Sequence, residues 1–268
     1  MKPVAMELAG FGLHTYGLMA ALGFLAVVAI GFQHARARGW PREAMVDLIV
    51  VSALAGLLGA RAFFLWQNPE RVQGIGSLVA LRDGGLVFYG APLLGVPLGL
   101  AYARWRGLPM RGVMDAFGRS APVGHALSRL GCLGAGCCYG VPATGPWAPF
   151  AVVAHDPHSL SPLGVPLVPV QAVESVGLFL LALAVPVRAR RPHREGTLFG
   201  GWVVGYALIR LGTETLRGDA DRGFFGPFST STWISLALAV LGVVWLGWGR
   251  GAEVAPLIGS TDPTPRGR

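Results

Sequence analysis

Arg61, Arg119, Arg129 and Arg210 sit inside or at the ends of otherwise apolar stretches of membrane length. A charge at the centre of a bilayer helix costs roughly 2.5–3.5 kcal/mol on insertion scales, so such residues are rarely accidental. Positive charge with few embedded acids suits an anion. Guanidinium, planar and permanently charged, matches phosphate oxygens in pairs, and the abundant anion of a membrane is a phospholipid headgroup. Arg210, Glu214 and Arg217 have the i, i+4, i+7 spacing of one helix face, where Glu214 is expected to pair with both arginines. The plainer reading of that triad is an ion network that only ties helices together. Arg129 has no acidic residue within one turn, which favours a ligand. Arg119 follows Asp115 by four residues, which favours a structural pair.

The three cysteines, Cys132, Cys137 and Cys138, lie too close and are too few for a disulfide framework. As metal ligands, with His125 conceivable as a fourth, they fit no standard zinc spacing, and no metal or other cofactor is expected. A redox pair between Cys132 and Cys137 or Cys138 is a second reading. The bland one is small apolar fillers.

The elements that carry these residues are membrane helices. Of 268 residues, 53% are hydrophobic and only 13% charged, about half the charged fraction of a soluble domain. Mean hydropathy is +0.53. The apolar stretches are continuous and do not alternate, which argues against a β-barrel. The expected class is all-α: a polytopic bundle of seven transmembrane helices over residues 1–250, with a periplasmic loop or head at 140–168 and a mobile cytoplasmic tail at 251–268. The spans fall near 13–33, 44–66, 86–103, 113–135, 170–187, 197–216 and 232–249. A net charge of +8 raises nucleic acid as a partner, but no basic face with interleaved aromatics supports it.

The basic residues instead set orientation. Arg36, Arg38, Arg42, Arg104, Arg106, Arg111, Arg188, Arg190, Arg191, Arg194, Arg250, Arg266 and Arg268 share one side, whereas Lys2, Arg71, Arg82, Arg217 and Arg222 lie on the other. The positive-inside rule places the N-terminus outside and the C-terminus in the cytoplasm. A cleaved signal peptide is the competing reading of the first span, but Glu7 precedes the apolar run and no clear small-x-small cleavage site follows it. In this orientation His14, Tyr16, Arg61, Tyr89, Arg129, Gln171, Glu174, Arg210, Glu214 and Arg217 fall at one level, near the outer leaflet. Gly84 and Gly85 precede the third span, where glycine permits a sharp turn and close approach of a ligand. The loop at 140–168 has no Lys or Arg and six prolines, and reads either as a lid or small head or as a loose connector.

At these residues the sequence resembles the prolipoprotein diacylglyceryl transferase family, nearly end to end. Gly12-Leu-His-Thr-Tyr-Gly-Leu-Met19 resembles its first-helix motif, Gly59-Ala-Arg61 the end of its second helix, and Asp83-Gly-Gly-Leu-Val-Phe-Tyr-Gly90 the stretch opening its third. Gly124-His-Ala-Leu-Ser-Arg-Leu-Gly-Cys-Leu-Gly-Ala-Gly-Cys-Cys-Tyr-Gly140 resembles its signature segment. Pro169-Val-Gln-Ala-Val-Glu174 and Tyr206-Ala-Leu-Ile-Arg-Leu-Gly-Thr-Glu-Thr-Leu-Arg-Gly-Asp219 resemble its fifth- and sixth-helix motifs.

The resemblance implies a bacterial inner-membrane enzyme that transfers a diacylglyceryl group from phosphatidylglycerol to the lipobox cysteine of a prolipoprotein. It implies that Arg129 and Arg210 grip the phosphate, that Glu214 orders the grip, and that Tyr16, Arg61, Gly140, Gln171 and Glu174 support the cavity. The chain departs from the family pattern in having Tyr89 where histidine is common, Cys132 and Ala135 where asparagines stand, and Cys137 in place of an acid. A tyrosine, with an ordinary pKa of about 10, is a poor base at neutral pH, so Tyr89 is expected to orient the headgroup or relay a proton. His14 is the nearest histidine at the same level. The alternatives are a lipid-binding relative without catalysis, a transporter and a thiol-redox membrane protein; no inverted repeat supports the transporter.

Overall fold

The computed structural model describes residues 1–8, 11–80, 85–87, 89–219, 223–248 and 253–256. Among them, helices of 16 residues or more occupy the seven stretches expected to be spans. They are α1 (Thr15–Ala37), α2 (Arg42–Gln67), α3 (Gly90–Trp105), α4 (Met110–Ala135), α5 (Val170–Ala189), α6 (Thr197–Glu214) and α7 (Thr230–Gly247). Four of these, α1, α2, α5 and α7, are long and apolar enough to cross a membrane by length and composition. A helix satisfies its own backbone polar groups, which is what hydrocarbon demands. Large apolar side chains point outward along the helices, among them Leu25, Leu54, Leu93, Leu183 and Val240. The protein is an all-α membrane protein.

Three short antiparallel pairs complete the described chain. β1 (Val4–Leu8) and β2 (Phe11–His14) form a hairpin directly before α1; β3 (His193–Arg194) pairs with β6 (Glu253–Val254), and β4 (Phe224–Phe225) with β5 (Phe228–Ser229). The first hairpin differs from the sequence reading, which began the first span at residue 13 and so placed His14 within it. Glu253 and Val254, expected in a mobile tail, are tied to β3. Residues 251–252 and 257–268 of that tail lie outside the described residues, as do Arg82, Gly84, Arg222 and Arg250.

The chain divides into two compact units, residues 32–113 and residues 1–31 with 114–268. In the first, α2 and α3 pack through glycine. A Cβ built on Gly59 would strike the Gly90 carbonyl, and one on Gly95 would come within 3.0 Å of the Ser52 carbonyl. Lipid tails are as apolar as leucine, so helices in a membrane gain by close packing, and small residues permit it. Ala35, Ala44, Met45, Leu48, Ala103 and Leu108 form the buried core of this unit.

In the second unit Gly124 of α4 meets Gly23 of α1 backbone to backbone. The Ser175 hydroxyl of α5 donates to the Ala126 carbonyl of α4 at 3.0 Å. Val185, Ala189 and Leu198 make a small core between α5 and α6. The 140–168 segment is folded rather than loose: Leu167 bridges both Pro142 and Val152, and Ala154, Leu167 and Val168 are buried.

Asp115 does not serve Arg119 as its spacing suggested. Its carboxylate accepts from the backbone N–H groups of Gly196 at 2.8 Å and of Leu198 and Phe199, both at 2.9 Å. Those are the donors that the start of α6 leaves without intrahelical partners, and a carboxylate also suits the positive end of the helix dipole. A tertiary cap won over an i, i+4 ion pair because it satisfies three backbone donors at once, two of them buried. The Nε of Arg119 is buried without a hydrogen-bond partner among the described residues. Asp115→Ala should therefore destabilise the protein by about 1–3 kcal/mol. This is measured as a lower Tm in detergent; an unchanged Tm would show that the cap is dispensable.

Candidate functional site

The end of α4, the start of α5 and the end of α6 bring their charged residues to one place. Glu174, fully buried on the first turns of α5, lies between two arginines. Arg129 Nε of α4 is 2.9 Å from one of its oxygens and Arg210 Nε of α6 is 3.7 Å from the other. Arg210 Nη1 also meets Glu214 at 2.7 Å, one turn further along α6. The result is a row, Arg129–Glu174–Arg210–Glu214, contributed by three helices. Arg210 is 5% exposed at its side chain and Arg129 14%, so Arg129 is the more accessible grip.

The four charges in the row cancel, as buried charges must if they are not to be very costly. Yet they are not fully spent. Glu174 holds both arginines through Nε, and its two oxygens and Arg129 Nε are close to their partners without being aligned as hydrogen bonds. A guanidinium has five N–H groups in a rigid fork. Gripping the Nε edge of Arg129 orients its fork and turns the Nη side toward another anion, whereas Arg210 already commits Nη1 to Glu214. Tyr206 packs against His125 with ring centroids 4.7 Å apart and planes tilted by 57°.

Arg217 is paired differently from expectation. It forms a bidentate pair with Asp219, with Nε to Oδ1 at 2.6 Å and Nη2 to Oδ2 as the second contact. Expecting Glu214 to hold both arginines assumed a continuous helix, but α6 ends at Glu214 and Arg217 lies in the extended segment beyond. There Arg217 bridges Gly140, flanked by bonds from Val141 N to the Leu216 carbonyl at 2.9 Å and from Gly218 N to the Tyr139 carbonyl at 3.0 Å. Gly140 is required for that contact: a Cβ would strike the Val168 carbonyl and lie 2.9 Å from the Leu216 carbonyl. Gln171, fully buried, donates through Nε2 to the Cys137 carbonyl at 2.8 Å and so ties α5 to the chain leaving α4.

Tyr16 lies in the first turn of α1, is 42% exposed, and its backbone packs close against Gly131 of α4. His14 is exposed in β2, opposite Val4. The remaining sequence-predicted residues belong to the 32–113 unit. Arg61 is buried, donates Nε to the Ser77 carbonyl at 2.8 Å and Nη1 to the Gly85 carbonyl at 3.1 Å, and lies over the Phe64 ring. It anchors the segment that follows α2. Gly85 has φ +85°, and a Cβ there would enter the Phe64 ring. Tyr89 immediately precedes α3 and is 52% exposed.

Sequence reasoning missed Glu174 as the residue between Arg129 and Arg210, and Asp219 as the partner of Arg217. The signal for Glu174 was its place at the start of an inward-running span, level with the ends of two outward-running ones. For Asp219 it was the close Arg-x-Asp spacing just past a helix end.

The model of the family described as prolipoprotein diacylglyceryl transferase matches residues 3–248. The chain is 30% identical over 250 residues to a phosphatidylglycerol–prolipoprotein diacylglyceryl transferase of Clostridium tetani, a match covering 91% of this chain and 96% of that protein. It is 28% identical to phosphatidylglycerol–prolipoprotein diacylglyceryl transferase 2 of Clostridium perfringens, covering 91% and 94%. It is 29% identical to the Methylobacillus flagellatus protein of that name, again covering 91% and 94%.

Proposed function

Because the chain belongs to the prolipoprotein diacylglyceryl transferase family, we propose that it transfers a diacylglyceryl group from phosphatidylglycerol to the lipobox cysteine of a prolipoprotein. The observation that carries this reading is the convergence of Arg129 and Arg210 on the buried Glu174. Reaction requires the acceptor thiol to lose its proton. The thiolate attacks the glycerol carbon, the C–S bond forms, and the C–O bond to phosphate breaks. Glycerol phosphate leaves with the electron pair. Negative charge moves from sulfur to phosphate, and two oriented guanidiniums stabilise it best where it accumulates. Glu174 and Glu214 hold those arginines in place before substrate arrives, so little reorganisation is left to the chemical step.

The seven helices are the seven spans of this reading, with the N-terminus outside, the C-terminus in the cytoplasm and residues 1–250 forming one bundle of the bacterial inner membrane. The site then faces the outer leaflet, where both the lipid and a translocated lipobox are met. The folded 140–168 segment supports a head on that side, Tyr16 and Gln171 line the site through the α4–α5 junction, and Gly140 and Arg217 hold its rim. Arg61 and Gly85 shape the third-helix entry beside Tyr89.

The test is purified protein in detergent given phosphatidylglycerol and a lipobox peptide, with the product read by mass. A peptide heavier by one diacylglyceryl unit supports the enzyme. Lipid retained without product supports the binding relative instead. Tyr89→Phe is expected to slow transfer about 10²-fold if the hydroxyl relays a proton; an undiminished rate confines Tyr89 to packing.

A further inference from the structure

The last turn of α4 and the residues after it gather three thiols. The Sγ atoms of Cys132, Cys137 and Cys138 all lie within 4.8 Å of one another. The chain turns sharply to achieve this. Gly136 has φ +77° and Cys138 φ +57°, the one positive φ at a non-glycine residue among those described. A left-handed cysteine costs energy and persists only where its surroundings impose it. Here Gln171 fixes the Cys137 carbonyl, and Cys137 Sγ is folded back to within 3.8 Å of the Cys132 carbonyl. Cys132 is buried, whereas Cys137 and Cys138 are partly open. Small apolar fillers do not need a strained backbone or partial exposure.

We infer that Cys132, Cys137 and Cys138 form a three-thiolate site for a thiophilic closed-shell divalent cation of the zinc class. Zinc–sulfur bonds of about 2.3 Å require sulfur–sulfur separations of roughly 3.8–4.0 Å, so the observed cluster closes on an ion with shifts of about an ångström or less. Binding releases the three thiol protons to solvent. Three thiolates and a dication carry one net negative charge. Adjacent cysteines made the sequence spacing look unlike a zinc motif; the left-handed turn is what lets both reach one point. The test of this site does not rest on the transfer reaction.

Reduced full-length protein in detergent is titrated with Cd2+, whose thiolate charge-transfer absorption reports sulfur ligation. The expected result is saturation at one equivalent with three thiols protected from alkylation. Cys132→Ser, Cys137→Ser and Cys138→Ser should each weaken binding by more than about 100-fold, since even a change outside the ligands typically costs 10–100-fold. Gel filtration and Tm identify variants that remain folded. If none does, the number of thiols protected in the wild-type protein decides alone. Absence of the absorption in folded, reduced protein would overturn the site, as would affinity within a few-fold of wild type in the folded serine variants. So would isolation of the protein with two of the three sulfurs in a disulfide that reductant cannot open, which would make the cluster a covalent staple.

Discussion

Arg210→Ala is expected to lower diacylglyceryl transfer by at least about 10²–10³-fold, the cost typical of removing one preorganised donor from developing negative charge. Arg129→Ala should do the same. The two residues come from α4 and α6 and share Glu174, so the double variant should lose little beyond either single one; groups that act as a unit are not additive. Lysine at either position keeps the charge but not the fork and should recover only part of the rate. The measurement is transfer to a lipobox peptide by protein that inserts and purifies like the wild type. Full activity in both alanine variants would leave the row as a tie between helices and nothing more.

Glu174→Gln has the second large effect, and it separates two roles. The substitution keeps the shape but leaves two buried guanidiniums facing each other across a neutral amide. Breaking a buried pair costs about 3–5 kcal/mol, because the remaining charge is uncompensated. Tm should fall accordingly. If Glu174 only holds helices together, the protein that remains folded should transfer at the wild-type rate. If it orients Arg129 and Arg210 for phosphate, transfer per folded molecule should fall as well, with a raised KM for phosphatidylglycerol. A loss of stability with unchanged kcat and KM would exclude the positioning role.

Much of this was legible in the chain. Continuous apolar runs can bury their backbone in lipid only as helices, and helices occupy the stretches where those runs lie. Arg129 and Arg210 stood out because charge is expensive there, and both are in the row. Local spacing was the weak guide. Asp115 and Arg119 are one turn apart and do not pair, because the start of α6 brings three backbone donors to Asp115. Arg217 is a turn beyond Glu214 in sequence but lies past the helix end, so it finds Asp219. Glu174 and Arg129 are far apart in sequence and meet only through the packing of α4 on α5, which no helical period reports. The β1–β2 hairpin was hidden for another reason: a short strand before an apolar helix carries the same hydrophobic signal as the helix itself.

The central claim is that Arg129 and Arg210 hold a lipid phosphate. It is tested most directly by equilibrium binding of phosphatidylglycerol and of diacylglycerol, which lacks the phosphate, to the wild-type protein and to Arg129→Ala and Arg210→Ala in the same detergent. Wild type should prefer phosphatidylglycerol, and each variant should lose most of that preference while binding diacylglycerol as before. Equal preference in wild type and variants would place the phosphate elsewhere and contradict the account.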